Sequence, residues 1–254
     1  MMFLKKRKKV GLALSGGGAR GYAHIGVYKA MQEEGLKPQV ISGTSIGAIM
    51  GALIANGYSA EELVTIAREY GKARILNFTG LRLGLSSHKN IRGILSNLLP
   101  DSFEQLKMPL YVAASNLNTA SLSVFHSGSL IDSLLASISI PIVFKPFLLN
   151  GNYYADGGLF KNLPASLIRK QCNILVGSHV NHLHKLSNFK STTALVDRCI
   201  RIGIANTIQA DIELCDIYID PEHSSNYSVL NFKAVDEIID IGYKAAQKVL
   251  IGRK

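Results

Sequence analysis

From residue 10 onward, apolar and polar positions fall into short strand-like runs separated by stretches of helical period. Val10 to Leu14 predicts a buried first strand. The turn Gly16-Gly17-Gly18-Ala19-Arg20-Gly21 follows, then a helical pattern through Ile25, Val27, Tyr28, Ala30 and Met31 to Gly35. Gln39 to Ser42 predicts a second strand. Gly43-Thr44-Ser45-Ile46-Gly47 joins it to a buried helix that starts with Ile46, Ala48, Ile49, Met50, Ala52, Leu53 and Ile54 and is capped by Asn56-Gly57. Ser59-Ala60-Glu61-Glu62 is a capping box for another helix, with Leu63, Ile66, Ala67 and Tyr70 on one face.

Residues 73–100 are less regular. Arg74, Arg82, Lys89 and Arg92 alternate with Ile75, Leu76, Phe78, Leu81, Leu83 and Leu85, and Ile91, Ile94, Leu95, Leu98 and Leu99 then repeat at helical spacing. This stretch reads either as a basic, apolar cap over a lipid-binding cleft or as a surface helix with one packed face. Leu110 to Ala114 and Leu122 to Phe125 predict strands, and Leu130 to Ile138 a short helix ended by Pro141. Val143 to Leu149 and Tyr153 to Ala155 flank Asn150-Gly151, a hairpin signal. Asn162-Leu163-Pro164 is expected to begin a helix, and Ile174 to Val176 is another buried strand. Leu195, Cys199, Ile202, Ala205, Ile208 and Ile212 trace one face of a long helix. Asp216 to Asp220 is a last strand, and Val235, Ile238, Ile239, Gly242, Ala245 and Val249 mark a closing helix with Lys244 and Lys248 near its end.

This order predicts an α/β sandwich, three layers with a central, mainly parallel sheet between helices. The chain has 254 residues, 47% of them hydrophobic, and no linker-like stretch divides it. We therefore expect a basic tail at 1–9 and a single domain at 10–254. The net charge is +10, and Lys5-Lys6-Arg7-Lys8-Lys9 supplies half of it. Such a run either aids solubility or meets an acidic membrane surface. No nucleic-acid motif accompanies it. Too few apolar residues follow the basic start for a signal peptide, and no run reaches the length of a membrane span. Cys172, Cys199 and Cys215 are odd in number and lack C-x-x-C spacing, which suggests small buried hydrophobes in a reducing, cytoplasmic compartment.

Two stretches carry candidate chemistry. Gly43-x-Ser45-x-Gly47 places a serine at a strand-to-helix turn, where the backbone is sharp and the hydroxyl exposed. Gly16, Gly17 and Gly18 can aim backbone N–H groups at one point, either to cradle a phosphate or to hold an oxyanion. No Gly-Lys-Ser/Thr follows, so the P-loop pattern fails. G-x-G-x-x-G can be forced onto Gly16, Gly18 and Gly21, but no acidic residue ends the next strand. Asp156-Gly157-Gly158 adds a carboxylate at a strand end, able either to start a turn or to point into a cleft. A nucleophile, a base and N–H donors together make an acyl-transfer site. A Ser45-Asp156-His179 triad can be written, but only one strand-helix unit precedes the elbow, unlike an α/β-hydrolase. His24, His88, His126 and His223 are further histidines available as a base. His179, His182 and His184 lack helical ligand spacing and a nearby carboxylate, so no metal or cofactor is expected.

Four blocks in order give the chain a resemblance to the patatin-like phospholipases, within the small bacterial branch related to neuropathy target esterase. They are Gly16-Gly17-Gly18-Ala19-Arg20-Gly21, Gly43-Thr44-Ser45-Ile46-Gly47, Ala136-Ser137-Ile138-Ser139-Ile140-Pro141, and Asp156-Gly157-Gly158 with Asn162-Leu163-Pro164. The resemblance implies a Ser-Asp dyad without histidine. Ser45 is then the acylated nucleophile, Asp156 the base, Gly16 to Gly18 the oxyanion hole, and Arg20 a residue that braces the loop or meets an anionic head group of the substrate. Ser15 stands where plant members carry Asp, and Ile142 replaces the small residue usual after the proline. The expected activity is hydrolysis of a lipid ester, with a phospholipid or lysophospholipid as substrate and transient contact with acidic membranes. Acyl transfer, thioester hydrolysis or lipid binding alone would use the same features. An aspartate of ordinary pKa, about 3.9, is a poor base for a serine. Burial must raise it, or the N–H donors must carry much of the barrier.

Overall fold

The computed structural model describes residues 8–72, 88–141, 143–183, 185, 188, 192–229 and 231–252. Of the positions singled out above, Lys5 to Arg7, residues 73–87, Ile142 and His184 lie outside the described residues.

Strand β1 (Val10–Leu14) is buried along its whole length because both faces of the sheet are covered. Its side chains alternate accordingly: Leu12 and Leu14 enter one core, Ala13 the other. It pairs in parallel with β2 (Pro38–Thr44) on one side and β7 (Ile174–Ser178) on the other, and β7 pairs in parallel with β8 (Ile217–Ile219). The chain thus turns outward in both directions from β1, the kind of switch point where α/β sheets place their ligands, at the strands' carboxyl ends. On the Leu12 face lie α1 (Ala23–Glu33), α2 (Ile46–Asn56), α3 (Ala60–Lys72), α4 (Lys89–Leu98), α5 (Leu130–Ser137) and α8 (Val235–Ile251), with α1 packed along α8. On the other face Leu163, Ala165, Ile168 and Ile208 form a smaller core with Ala13, Val40 and Leu175. There the covering chain includes α6 (Thr192–Thr207) and α7 (Gln209–Glu213).

Strand β3 (Leu110–Asn116) sets the distance that matters most. Its residues 112–116 pair antiparallel with β4 (Ser121–Phe125). Residues 110–113 pair in parallel with β2, and 114–116 antiparallel with β6 (Asn152–Asp156). Because β4 overlaps both of these pairings, β2 and β6 must share the other edge of β3. They meet head to head, with Thr44 opposite Ala113 and Asp156 opposite Ala114. β5 (Phe147–Leu149) completes the eight strands by pairing with β6 through the Asn150-Gly151 hairpin, whose residues have φ of 48° and 77°. These are the left-handed values a two-residue turn of this type needs.

The sandwich and its mainly parallel sheet match the expected fold, as does the Ser59/Glu62 capping box, which forms with both reciprocal hydrogen bonds. Four local expectations do not hold. β5 starts at Phe147, not Val143, because Pro146 has no N–H for the ladder. Asn162-Leu163-Pro164 opens only short 3-10 turns, since the carbonyls of Lys161, Asn162 and Pro164 accept from Thr44 Oγ1, Gly16 N–H and Ser42 Oγ. The long helix breaks at Ile208. There Thr207 Oγ1 donates to the Ile204 carbonyl at 2.7 Å, and Asp211 anchors the next turn elsewhere. Cys199 is exposed, whereas Cys172 and Cys215 pack beside the smaller core.

Asp211 is 1% exposed and accepts from Lys161 Nζ and Ser166 N–H, each at 2.8 Å, tying α7 to the chain that follows β6. Asp211→Ala leaves that ammonium and amide without a partner and should cost about 3 kcal/mol in urea unfolding. Lys244→Ala, at a fully surface pair with Asp240, should cost under about 0.5 kcal/mol.

Candidate active site

Ser45 follows β2 directly and caps α2 with φ 55° and ψ −125°, a conformation rare for any residue with a Cβ. Tight packing enforces it. A Cβ on Gly47 would lie 2.4 Å from the Leu14 carbonyl oxygen and 2.5 Å from that of Ser15, so α2 starts pressed against the end of β1. The Ser45 N–H donates to Ser137 Oγ at 2.8 Å, and Ser137 Oγ in turn donates to the Ala113 carbonyl at 2.7 Å. The elbow is thereby tied to β3, the strand that also carries Asp156's partner.

The Ser45 hydroxyl lies beside the Asp156 carboxyl, whose Oδ1 accepts from Gly158 N–H at 2.8 Å. Asp156 as a residue keeps some solvent contact, while protein surrounds its carboxyl. Desolvation pushes its pKa from 3.8 up to about 6, against the Ser45 hydroxyl and the Gly158 amide, which favour the ionised form.

The triple-glycine turn leaves the end of β1 beside the serine, and a Cβ on Gly16 would come within 3.3 Å of Ser45 Cβ. Its three amides are not equivalent. Gly16 N–H donates to the Asn162 carbonyl at 3.2 Å, whereas those of Gly17 and Gly18 have no acceptor among the described residues. Gly18 has φ 58°, and the Val229 carbonyl oxygen would be 2.3 Å from a Cβ there, so glycine is required on both counts. That same carbonyl accepts from Ala19 N–H at 2.8 Å.

Arg20 is 3% exposed. Its guanidinium donates to the carbonyls of Tyr227 at 2.8 Å and Ser225 at 3.3 Å, and to Asn181 Oδ1 at 3.5 Å. It therefore spans from the glycine turn to the chain before α8. His24 sits beneath the turn, fully buried. Its Nε2 faces the Ser15 carbonyl, which can only accept, so Nε2 carries the proton and Nδ1 accepts from Ser178 Oγ. Burial lowers its pKa to about 4, keeping it neutral.

His179 does not join the pair. Its Nδ1 faces Tyr218 Oη at 3.1 Å, and His182 pairs with Asp220 at 2.8 Å. Among the described residues no three His, Cys, Asp or Glu side chains converge as a metal-sized group. Three groups that sequence reasoning left without a role also hold the site. Ser137 and Asn162 lie inside motif blocks, which was their signal, while Asn181, whose Nδ2 donates to the Gly16 carbonyl at 2.8 Å, has none.

A cavity of about 140 Å³ opens from Ser45 and Gly18 into apolar side chains. It follows α2 past Ile46, Ile49 and Met50 to Leu53, about 12 Å along the helix axis. α3 contributes Leu63 and Ala67, α4 Ile91 and Leu95, and the third motif block Ile138 and Ile140.

Residues 12–168 match the family model described as patatin-like phospholipase. The chain belongs to the patatin-like phospholipase family. It is 29% identical to "Lysophospholipase NTE1" of Kluyveromyces lactis over 92% of its own length but only 18% of that protein's. It is 35% identical, over 63% of its length and 45% of the relative's, to an "Uncharacterized NTE family protein" of Mycobacterium tuberculosis. Against the crystal structure of VipD from Legionella pneumophila the TM-score is 0.55 at 16% identity, over 96% of this chain and 67% of that one, a likeness of fold. Among the described residues no helix is long and apolar enough to cross a membrane.

Because the carboxyl of Asp156 titrates above its ordinary value, the cost of ionising it is absent below about pH 4 and fully felt above about pH 6. Asp156→Asn, which keeps the shape, should stabilise the fold at pH 8 by on the order of 2 kcal/mol and change little at pH 4, as read by thermal unfolding at the two pH values.

Proposed function

We propose that this chain hydrolyses a carboxylic ester of a lipid, a phospholipid or lysophospholipid, through an acyl-Ser45 intermediate. The observation that carries this reading is the Ser45 hydroxyl set beside a carboxyl whose pKa burial has raised to about 6. A carboxylate near neutrality is a far better base than an ordinary one, and needs no histidine.

Asp156 accepts the hydroxyl proton as Ser45 Oγ attacks the ester carbon. The oxyanion that forms takes the N–H groups of Gly17 and Gly18, with Gly16 shaping the turn through its bond to Asn162. Collapse passes the proton from Asp156 to the departing alcohol. Water then enters, Asp156 takes one of its protons, and attack on the acyl-serine frees the fatty acid and returns the proton to Ser45. The acyl chain lies along α2 in the apolar cavity, and Arg20 braces the donor turn. Family membership supports the reaction class, while the relative named a lysophospholipase supports the substrate. The basic run ending at Lys9 supports transient contact with acidic membranes.

A fluorophosphonate probe should label the wild-type chain and not Ser45→Ala; no labelling of wild type would leave a lipid-binding module. For hydrolysis of a soluble ester, kcat/KM should rise about tenfold per pH unit up to about pH 6 and then level, since only ionised Asp156 accepts the proton. Asp156→Asn should lose about 10²–10⁴-fold in kcat and that pH limb with it. Filling the cavity by Ala67→Phe should lower kcat/KM for long-chain esters about tenfold relative to butyrate, measured on an ester series.

A further inference from the structure

Helix α6 carries an apolar stripe on its outer side. Leu195, Cys199 and Ile202 are spaced four and three residues apart and so share one face. That face meets solvent: Leu195 is 43% and Ile202 46% exposed, and Cys199 is exposed as well. Ile204, on the opposite side of the helix, reaches Gly158, and α6 rests on the Gly157–Leu159 turn directly after Asp156. The chain there adds two more exposed apolar side chains, Leu159 at 36% and Phe160 at 39%. A surface helix normally turns such a stripe inward, and apolar side chains left exposed in this way mark a surface with a partner.

Charge decides which partner. Over α6 the chain carries Arg198 and Arg201 against Asp197 alone, within a protein of net charge +10. A second copy would bring the same positive charge to the contact. A layer of anionic head groups brings the opposite charge, and the acyl region beneath it accepts the stripe. We propose that the outer face of α6, with Leu159 and Phe160, docks on an anionic lipid surface and holds the turn that follows Asp156 against the layer in which an ester substrate resides. The purpose of this docking rests on the lipid-hydrolase reading, but the docking itself is tested without it.

The chain has no tryptophan, so Ile202→Trp places one fluorophore on the proposed face. With vesicles of phosphatidylcholine and phosphatidylglycerol its emission should shift to the blue, and salt should reverse the shift. In the background without tryptophan, Leu195→Glu with Ile202→Glu should weaken co-sedimentation with the same vesicles about tenfold, while hydrolysis of a soluble butyrate ester and circular dichroism stay unchanged. An unshifted emission, an equal shift with pure phosphatidylcholine, or a shift that follows protein concentration without vesicles would each overturn the proposal, the last in favour of self-association. Docking by a chain that fails to cleave any ester would instead sink only the hydrolase reading.

Discussion

The shared edge of β3 is the constraint on which the site depends. Two strands running in opposite senses cannot occupy the same stretch of that edge, so β2 stops at Ala113 and β6 stops at Ala114. Their ends are brought together by main-chain pairing with β3, and Ser45 and Asp156 are the residues found at this junction. A contact built this way needs no long side chain to reach across a gap, and little rotamer freedom is lost in forming it. Ser137 reinforces it by linking the Ser45 amide to β3 itself.

Around this junction the molecule uses neutral groups and carbonyls in place of charges. His24 is held as one uncharged tautomer, and Arg20 spends its donors on main-chain oxygens and an amide side chain. Desolvation leads the causes that shift Asp156, and no charged side chain is among them. A cation beside the carboxyl would hold it ionised and weakly basic. Keeping such charges away leaves only the Ser45 hydroxyl and the Gly158 amide to oppose the effect of burial.

Much of this was legible beforehand. Elements whose identity is local, such as the buried run of β1, the Asn150-Gly151 hairpin and the Ser59 capping box, carry their instructions within a few residues. The stretches bearing Ser45, Asp156 and the glycine turn stood out for the same reason, and their adjacency followed from the family resemblance, not from spacing. What stayed hidden depends on partners far along the chain. Nothing near Asn162 reveals that its carbonyl is promised to Gly16, so a helix was expected there. The run from Leu195 to Ile212 has the right period for one buried face, yet Asp211's attachment to Lys161 and Ser166 pulls its last turn inward and leaves Leu195 and Ile202 outside. Arg20's burial, likewise, is set by carbonyls about two hundred residues away.

That reach across the chain has a bearing on how small a working fragment can be made. The recognisable family pattern ends at residue 168, but β1 is zipped on one side to β7, which begins at Ile174. The amide of Ala19 is met by Val229, and the guanidinium of Arg20 by Ser225 and Tyr227. A fragment trimmed to the familiar stretch would expose a raw strand margin in the middle of its sheet and strip the glycine turn of its supports. The borders of a conserved signature and those of a self-sufficient folding unit are different lines, and in this chain they lie at least sixty residues apart.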